Sequence, residues 1–258
     1  RVDRRQRQMC IRDSLSNVIS EAYQNDIGYF FAPSCSLRDT NTIISLSKEY
    51  KNMYVGVGIH PHYASEFKTD ILIELEKFIS EPKVVAIGEI GLDYYRNFQT
   101  PKIQRKCFSE FLSFAVDHQL PCFMHNRNST DDFLSLLKEQ ISNLPKSVVH
   151  CFTGNKKELK HLLDQDLFIG ITGWICDPKR GAETRDLLKY IPLEKLLLET
   201  DSPYLIPKSI KGSRNEPKNL KVILKAISEA IGVEPQKVAK QTTKNFKDLF
   251  LSLIHISE

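Results

Sequence analysis

The amino-acid sequence predicts an α/β protein, a TIM-type (β/α)8 barrel that lacks its first strand. The chain has 258 residues, about the usual length of such a barrel built as one domain. Short apolar runs recur about every 20 to 36 residues, with longer amphipathic runs between them, as in βαβ units joined into a parallel sheet. No linker rich in proline and serine divides the chain, so we predict one domain over residues 14–250.

Seven of the short apolar runs are typical of strands buried in a sheet. A closed barrel of this kind needs eight strands, so one is missing. The missing strand would precede the helix predicted at 14–25, where an arginine-rich stretch stands instead. The seven predicted strands are 27–35, 53–62, 84–93, 120–126, 147–152, 167–173 and 196–201.

The amphipathic runs between the strands predict helices. In 70–80, apolar residues that include Leu72, Leu75 and Phe78 fall on one helical face, with charged residues opposite. The same pattern recurs at 107–118 and 131–141. These helices would cover the outside of the predicted barrel.

Both ends of the chain depart from this pattern. Residues 1–13 contain five arginines and two aspartates, which is +3 of the formal +4, so residues 14–258 carry only about +1. The first stretch has almost no apolar periodicity, and residues 251–258 do not continue the helical pattern before them. We therefore predict that 1–13 and 251–258 are non-native tails. The overall basic charge does not indicate a nucleic-acid partner.

The composition is that of an ordinary globular protein, with 41% apolar and 26% charged residues. No run approaches the roughly 20 apolar residues of a membrane helix, and none resembles a signal peptide. The six cysteines are scattered and form no CxxC pair, which is typical of small buried residues in a reducing compartment. We predict a cytoplasmic protein with no membrane association and no obligate protein partner.

Polar residues stand at the ends of several predicted strands. Glu89 closes the run VVAIGE, His125 closes PCFMH, His150 closes SVVH and Asp201 closes LLLETD, each in a different predicted strand, and His60 lies near the end of another. The carboxyl ends of barrel strands converge on one face, where barrel active sites are built. A single histidine at a strand end is more often a structural hydrogen-bonding group. Four or more such residues at one face indicate a functional site.

Two imidazoles and two carboxylates form a mixed nitrogen and oxygen set. Such a set suits Mn²⁺ or Zn²⁺, and Mg²⁺ where carboxylates and water dominate. A divalent ion there would lower the pKa of a water molecule and polarise a phosphoryl or carbonyl oxygen. Glu199 lies two residues before Asp201, so in a strand it would point to the same side. It is either a group that supports a ligand or half of a salt bridge inside the barrel.

Seven segments carry a resemblance to one enzyme family, and they occur in the family's order from about residue 15 to residue 250. They are GIHPH (58–62), AIGEIGLDYY (86–95), PCFMHNRNSTDD (121–132), HCFTGNKKEL (150–159), GITGWICDPKRG (170–181), LLKYIPLEKLLLETDSPYL (187–205) and RNEP (214–217). Together they resemble the TatD family of metal-dependent deoxyribonucleases, which belongs to the amidohydrolase superfamily.

The resemblance implies a cytoplasmic barrel hydrolase that trims DNA from the 3′ end and prefers single strands. It implies Mg²⁺ or Mn²⁺ as cofactor, with Zn²⁺ as a further option and two ions in the native family. Glu89 then corresponds to the metal-bridging carboxylate, and His125 and His150 to metal ligands. Asp201 corresponds to the ligand and base that activates water. His60 corresponds to a residue that faces the phosphate near the metals.

Several other residues in these segments have two interpretations each. Arg127 and Arg214 could contact phosphate, since a guanidinium fork suits a phosphodiester, or could form structural ion pairs. Trp174 could stack on a base or anchor a loop in the core, and we favour the core. Gly88 and Gly91 could leave space for a metal or substrate, or could mark a bulge in the strand.

One part of the family pattern is absent from the sequence. The family begins with an apolar strand that carries a D-x-H-x-H motif, whose two histidines bind metal. The H-x-H at 60–62 belongs to GIHPH on a later strand. Losing the first strand would leave its neighbours with unpaired edges and strip one metal position of most ligands. We therefore expect the native protein to be active and the chain as written to be poor or inactive, with low stability.

Three functions stay open at this point. The favoured one is a metal-dependent hydrolase of DNA phosphodiester bonds. The second is the same metal cage acting on an amide bond or an aminoacyl-tRNA ester. The third is an inactive, metal-poor fragment with at most a binding or structural role. The first two differ in the products they release, and the third predicts neither turnover nor tight metal uptake.

Overall fold

The computed structural model describes residues 15–252, which alternate between helices and strands. In chain order these are α1 (Leu15–Gln24), β1 (Phe30–Pro33), α2 (Leu37–Glu49), β2 (Met53–Val57), α3 (Asp70–Ile79), β3 (Val84–Asp93), α4 (Pro101–Asp117), β4 (Cys122–Arg127), α5 (Thr130–Gln140), β5 (Val148–His150), α6 (Lys156–Asp164), β6 (Phe168–Ile171), α7 (Ala182–Leu187), β7 (Leu196–Leu198), α8 (Leu220–Ile231) and α9 (Pro235–Phe250). Short 3-10 helices lie at Pro61–Glu66, Gly173–Cys176, Leu188–Tyr190, Leu193–Lys195 and Pro217–Asn219.

The seven strands form one parallel sheet whose order follows the chain from β1 to β7. The sheet curls into a half-barrel with helices around it, which confirms the predicted TIM-type α/β fold. Each observed strand lies within or overlaps its predicted run. Helix α4 begins at Pro101 rather than at residue 107, because Thr100 caps it by accepting a hydrogen bond from the Ile103 backbone N–H. Proline is well suited to this first helical position.

The predictions about the two chain ends fall mostly outside the described residues. The predicted loss of the first strand concerns residues 1–14, and the tail predicted at 251–258 is described only up to residue 252. Leu251, the first residue of that predicted tail, is buried beside Phe250. Within residues 15–252, no helix has both the length and the apolar character that a membrane crossing requires.

The strands present two faces because successive side chains point to opposite sides of the sheet. On the outer side, residues such as Cys122 and Met124 join the main hydrophobic core with the helices. On the concave side, a second apolar cluster fills the half-barrel. We call this cluster the apolar layer: Val85, Ala86, Phe123, Val148, Phe168, Leu197, Leu249, Phe250 and Leu251.

Helix α9 holds the apolar layer in place. The Asn245 side-chain amide donates hydrogen bonds of 2.8 Å to the carbonyl oxygens of Leu193 and Leu196, which ties the helix to the start of β7. Phe250, at the end of the helix, stacks on Phe31 of β1 with ring centroids 4.4 Å apart. The end of the described chain thus packs against a strand near its beginning.

The side chains change from apolar to polar toward the carboxyl ends of the strands. Phe123 and His125, two positions further along β4, point to the same side of the sheet. The same spacing relates an apolar residue to the next residue on that side in β5, β6 and β7. The centroid of the Phe123 ring lies 4.8 Å from that of the His150 ring. The residues two positions beyond the apolar layer in β4, β5, β6 and β7 are His125, His150, Gly170 and Glu199.

Candidate metal centre

Glu89 occupies a bulge in β3. Gly88 pairs with Phe123 and Ile90 pairs with Met124, so Glu89 is an extra residue with no partner on β4. A bulge of this kind redirects a side chain. Here it accompanies a glutamate side chain that is buried within the half-barrel.

The glycines beside Glu89 allow β3 and β4 to come close. Gly88 has φ of 151° and Gly91 has φ of 137°, conformations that side chains rarely adopt. A Cβ atom on either residue would collide with a carbonyl oxygen of β4, that of Phe123 or His125. The glycines therefore belong to the bulge, which confirms one of the two interpretations that the sequence left open.

The Glu89 carboxylate is surrounded by imidazoles. Its Oε1 lies 3.0 Å from His125 Nδ1, 3.3 Å from His60 Nε2 and 3.8 Å from His150 Nε2. Burial by itself would raise the pKa of Glu89, but His60, His125 and His150 outweigh it and hold the pKa well below its usual value. Glu89 is therefore ionised at neutral pH.

Three of these residues have ligand atoms close enough to share one ion. Atoms of His60, Glu89 and His125 lie within 4.8 Å of one another. The rings of His60 and His125 are 4.8 Å apart at their centroids. Burial lowers the pKa of His60 to about 4, and the nearby His125 and His62 add to this effect. His60 is therefore a neutral imidazole.

His150 is oriented by Glu199. Its Nδ1 lies 2.8 Å from Glu199 Oε2, which also accepts a 3.0 Å hydrogen bond from the Cys151 backbone N–H. Burial opposes protonation of His150, but Glu199 and the carboxylates of Glu89 and Asp201 raise its pKa to about 10. Both interpretations of Glu199 thus describe one contact, an ion pair that supports a candidate ligand.

Asp201 completes the group at the end of β7. Its Oδ1 is 3.9 Å from His150 Nε2. Its backbone has φ of 55°, a left-handed conformation that aspartate tolerates better than most residues. Burial raises the pKa of Asp201 to about 6 against the opposing effect of His150, and the negative charges of Glu89 and Glu199 add to the rise. We call Glu89, His125, His150, Glu199 and Asp201 the polar layer.

The polar layer has the chemistry of a divalent-metal site. Two of its buried atoms, His125 Nε2 and Glu199 Oε1, have no hydrogen-bond partner among the described residues. An unpaired buried polar atom costs roughly 1–3 kcal/mol, so such atoms are usually satisfied by an ion or water. Mixed imidazole and carboxylate donors suit Mn²⁺, Zn²⁺ or Mg²⁺. The residues present therefore fit a bound cation.

Comparison with protein families agrees with this chemistry. The family model described as "TatD related DNase" matches residues 6–251. The chain belongs to the TatD-related DNase family.

Named relatives of the family are similar over nearly the whole chain. The "3'-5' ssDNA/RNA exonuclease TatD" of Citrobacter koseri is 39% identical over 238 residues, which cover 91% of this chain and 92% of that protein. The protein of the same name from Escherichia coli K12 is 38% identical over 238 residues, with the same coverage.

Solved structures of the TatD family have the same fold. YJJV, a TatD homolog from Escherichia coli K12, matches with a TM-score of 0.86 and 28% identity over 92% of each chain. A TatD family hydrolase from Entamoeba histolytica matches with a TM-score of 0.80 and 29% identity, covering 91% of this chain and 88% of that one.

One residue of the TatD-like site, Asp93, was not singled out from the sequence. Asp93 Oδ2 lies 2.7 Å from His62 Nε2 and 3.4 Å from His125 Nε2. Burial alone would raise the pKa of Asp93, but the two imidazoles and the Arg96 backbone N–H lower it well below its usual value. A signal was present in the sequence, since Asp93 ends the 84–93 strand just as Asp201 ends its own.

The two predicted arginines lie in different surroundings. The Arg127 guanidinium carbon is 4.3 Å from the Tyr95 ring centroid and 5.9 Å from that of Trp174. Arg214 Nε donates to Glu216 Oε1 at 2.9 Å, an ion pair of the structural kind that the sequence left open. Trp174 anchors its loop, since its Nε1–H donates a 3.0 Å hydrogen bond to the Arg180 carbonyl oxygen, but it is half-buried rather than a core residue.

Proposed function

We propose that this chain is a divalent-metal-dependent hydrolase that removes nucleotides from the 3′ end of single-stranded DNA or RNA. The observation that carries the proposal is the Glu89 carboxylate, which lies within 4 Å of three imidazoles at the carboxyl end of the sheet. Membership of the TatD-related DNase family supports a phosphodiester as the bond cleaved. The names of the relatives support RNA as a second substrate, which the sequence did not predict.

Glu89, His125, His150 and Asp201 would hold the cation, with Mg²⁺ or Mn²⁺ as the proposed ion and Zn²⁺ as a third option. A cation there supplies positive charge against the phosphate and makes a water molecule more acidic. The family pattern has two ions, and the described residues supply the donors of one position. A cation bound at His150 would take the place of the Nε2 proton, and Glu199 would continue to accept the Nδ1 hydrogen bond and orient the ring, an arrangement usual for metal-binding histidines.

Asp201 is suited to accept the proton of the attacking water. Its side chain is 30% exposed, whereas that of Glu89 is 10% exposed, so solvent reaches Asp201 more easily. Its raised pKa, near 6, makes it a stronger base than an ordinary aspartate. Glu89 stays ionised and retains the role of a fixed negative charge.

His60 would donate a hydrogen bond to the substrate rather than bind the metal. Its Nδ1 accepts a 3.1 Å hydrogen bond from the His62 backbone N–H. The neutral ring therefore carries its proton on Nε2, the atom that faces Glu89. A metal ligand would need the opposite arrangement, with a free lone pair on the facing nitrogen. The Nε2–H is available to a phosphate oxygen, in keeping with the role that the family resemblance implies.

The proposal is tested with a 5′-labelled single-stranded oligonucleotide in Mg²⁺, Mn²⁺ or chelator. Trimming from the 3′ end leaves a ladder of labelled products that shorten with time, and we expect it only with metal. Asp201→Asn should abolish the ladder, while Asp164→Asn, on an exposed side chain of α6, should leave it unchanged. A folded chain that binds metal and leaves both DNA and RNA intact would contradict the proposal.

The same experiment separates the competing functions. Release of an amino acid from aminoacyl-tRNA, without trimming of DNA or RNA, would favour the ester or amide hydrolase. A folded chain with neither turnover nor metal uptake would favour the inactive fragment. A cytoplasmic location stays a prediction, to be checked by fractionation of cells that express the protein.

A further inference from the structure

Two exposed aromatic side chains stand on the loop that follows β3. Tyr95 is 60% exposed and Phe98 is 62% exposed. Large apolar side chains in such positions are normally covered by a partner when they cluster. The loop leaves the sheet at Asp93, which hydrogen-bonds to His62 beside the polar layer. The exposed rings therefore lie at the mouth of the metal centre.

Cationic side chains extend this aromatic surface. Arg127 approaches both the Tyr95 ring, at 4.3 Å, and the Trp174 ring, at 5.9 Å. Arg180 approaches the Trp174 ring at 4.7 Å. Rings and guanidinium groups thus alternate from the loop after β3 to the loop after β6. We call Tyr95, Phe98 and Trp174 the aromatic rim.

The aromatic rim is connected directly to the polar layer. Arg127 lies two residues beyond His125 on β4, about 7 Å further along an extended strand. It pairs in register with Asp93 of β3. On the other side, the Phe98 ring lies 4.7 Å from the His62 ring. A nucleic-acid strand that leaves the metal centre would meet the aromatic rim within about one or two nucleotides, since the rim starts roughly 7 Å away.

The loop that carries Tyr95 and Phe98 is held by a buried hydrogen-bond network. Asp93 Oδ1 accepts a 2.8 Å hydrogen bond from the Arg96 backbone N–H. The Gln104 side-chain amide donates to the carbonyl oxygens of Asp93 and Gln99, and Gln99 in turn donates to that of His62. The exposed rings are therefore presented by an anchored loop, which lowers the entropic cost of binding a ligand.

We propose that the aromatic rim stacks the unpaired bases next to the 3′ end, while Arg127 and Arg180 contact the phosphates between them. The inference rests on the proposed function of the metal centre. Base stacking on aromatic side chains tolerates any sequence, because every base has a π-face, and guanidinium groups add charge complementary to the backbone. Bases in a duplex are already stacked and paired. The rim therefore accounts for a preference for single strands.

The test measures binding by the uncleaving Asp201→Asn protein in Mg²⁺, with two fluorescent probes of equal length. One probe is oligothymidylate and the other is an abasic deoxyribose-phosphate oligomer. Adding Tyr95→Ala should weaken binding of oligothymidylate about five-fold or more and leave binding of the abasic probe unchanged. Tyr23→Ala, an exposed tyrosine on α1 that packs on Phe30 at the other end of β1, is the matched control and should change neither.

Each other outcome overturns the inference. An equal loss for both probes would make Tyr95 a structural residue, and no loss would remove it from the binding surface. Failure of the protein with an intact rim to bind either probe would also contradict it. Phe98→Ala is measured in parallel, so that a folding defect in one variant does not decide the result. Base-dependent binding by a chain that never cleaves nucleic acid would refute the proposed function while the rim itself stands.

Discussion

The two levels of the concave side of the sheet differ in almost every physical property. In the apolar layer, the Phe250 ring stacks face to face on the Phe31 ring of β1, with centroids 4.4 Å apart. The polar layer, one step along the same strands, places the Glu89 carboxylate among imidazoles and leaves His125 Nε2 without a hydrogen-bond partner within the described residues. Burial of apolar surface stabilises a fold, whereas burial of charge costs free energy.

The contrast shows where this fold gains stability and where it gives stability up. Phe123 and His125 stand two residues apart on β4, and the Phe123 ring touches His150 at 4.8 Å between centroids. A well-packed layer thus supports a layer that is stable only because its opposite charges compensate one another. Functional sites commonly have this character, since side chains arranged for chemistry are seldom those that would best stabilise the fold.

The largest expected effect is the loss of activity in Asp201→Asn. We expect kcat to fall about 10²- to 10⁴-fold, the usual contribution of a positioned general base. The melting temperature in chelator at pH 7.5 should not fall. The pKa of Asp201 is raised in the folded state, so its ionised form destabilises the fold above that pKa, and a neutral amide removes this cost. A marked drop in melting temperature would place Asp201 among the stabilising residues instead.

The second effect tests the apolar layer. Phe250→Ala should lower the free energy of unfolding by about 3–5 kcal/mol, because it leaves a cavity against Phe31. Urea unfolding measures this loss, and kcat of the remaining folded protein should stay near that of the wild type. Phe98→Ala is the matched control for stability. It removes an exposed ring and should change the free energy by no more than about 0.5 kcal/mol.

Glu199→Gln should have an intermediate effect, because it weakens the support of a ligand without removing the ligand. We expect metal affinity or activity to fall about 10- to 100-fold, as for other residues that orient metal-binding histidines. The amide keeps the shape but loses the charge that holds the proton on His150 Nδ1. Titration of activity against Mn²⁺ measures the change. Glu194→Gln, on an exposed side chain before β7, should match the wild type.

The smallest effect is expected outside both layers. Lys160 pairs with Asp164 one helical turn later on α6, at 3.1 Å, and both side chains are exposed. Lys160→Ala should cost no more than about 0.5 kcal/mol of unfolding free energy and leave kcat unchanged. A several-fold change in kcat would mean that surface residues outside both layers also contribute to catalysis.

The sequence was sufficient to predict the sheet and the residues that meet at its carboxyl end. His125, His150 and Asp201 could be found because they lie near the ends of their strands, and parallel strands of a barrel converge on one face whatever the details of packing. Glu89 lies inside β3 rather than at its end, at the bulge beside Gly88. Side chains alternate along a strand, so residues two positions apart share a face. The sequence alone therefore places Phe123 and His125 on the same side of β4, one in each layer. These are properties of local pattern and topology.

The details that tune the site depend on contacts between distant segments. The orientation of His150 follows from Glu199, 49 residues later. The contact of Arg127 with Tyr95 joins the end of β4 to the loop after β3, and Trp174 is held by a hydrogen bond to the Arg180 carbonyl oxygen. Loop geometry of this kind is set by tertiary packing rather than by propensity. The half-buried position of Trp174 was therefore not predicted, and Asp93 was overlooked among its strand neighbours.

Calorimetric titration of Mn²⁺ into the wild type, Glu89→Gln and Phe250→Ala tests most directly the claim that the polar layer is a metal centre supported by a separate apolar layer. We predict that the wild type binds Mn²⁺, that Glu89→Gln loses most of that binding while it stays folded, and that folded Phe250→Ala binds as the wild type does. Undiminished binding by Glu89→Gln would contradict the account, because the carboxylate that gathers three imidazoles would then not be a ligand.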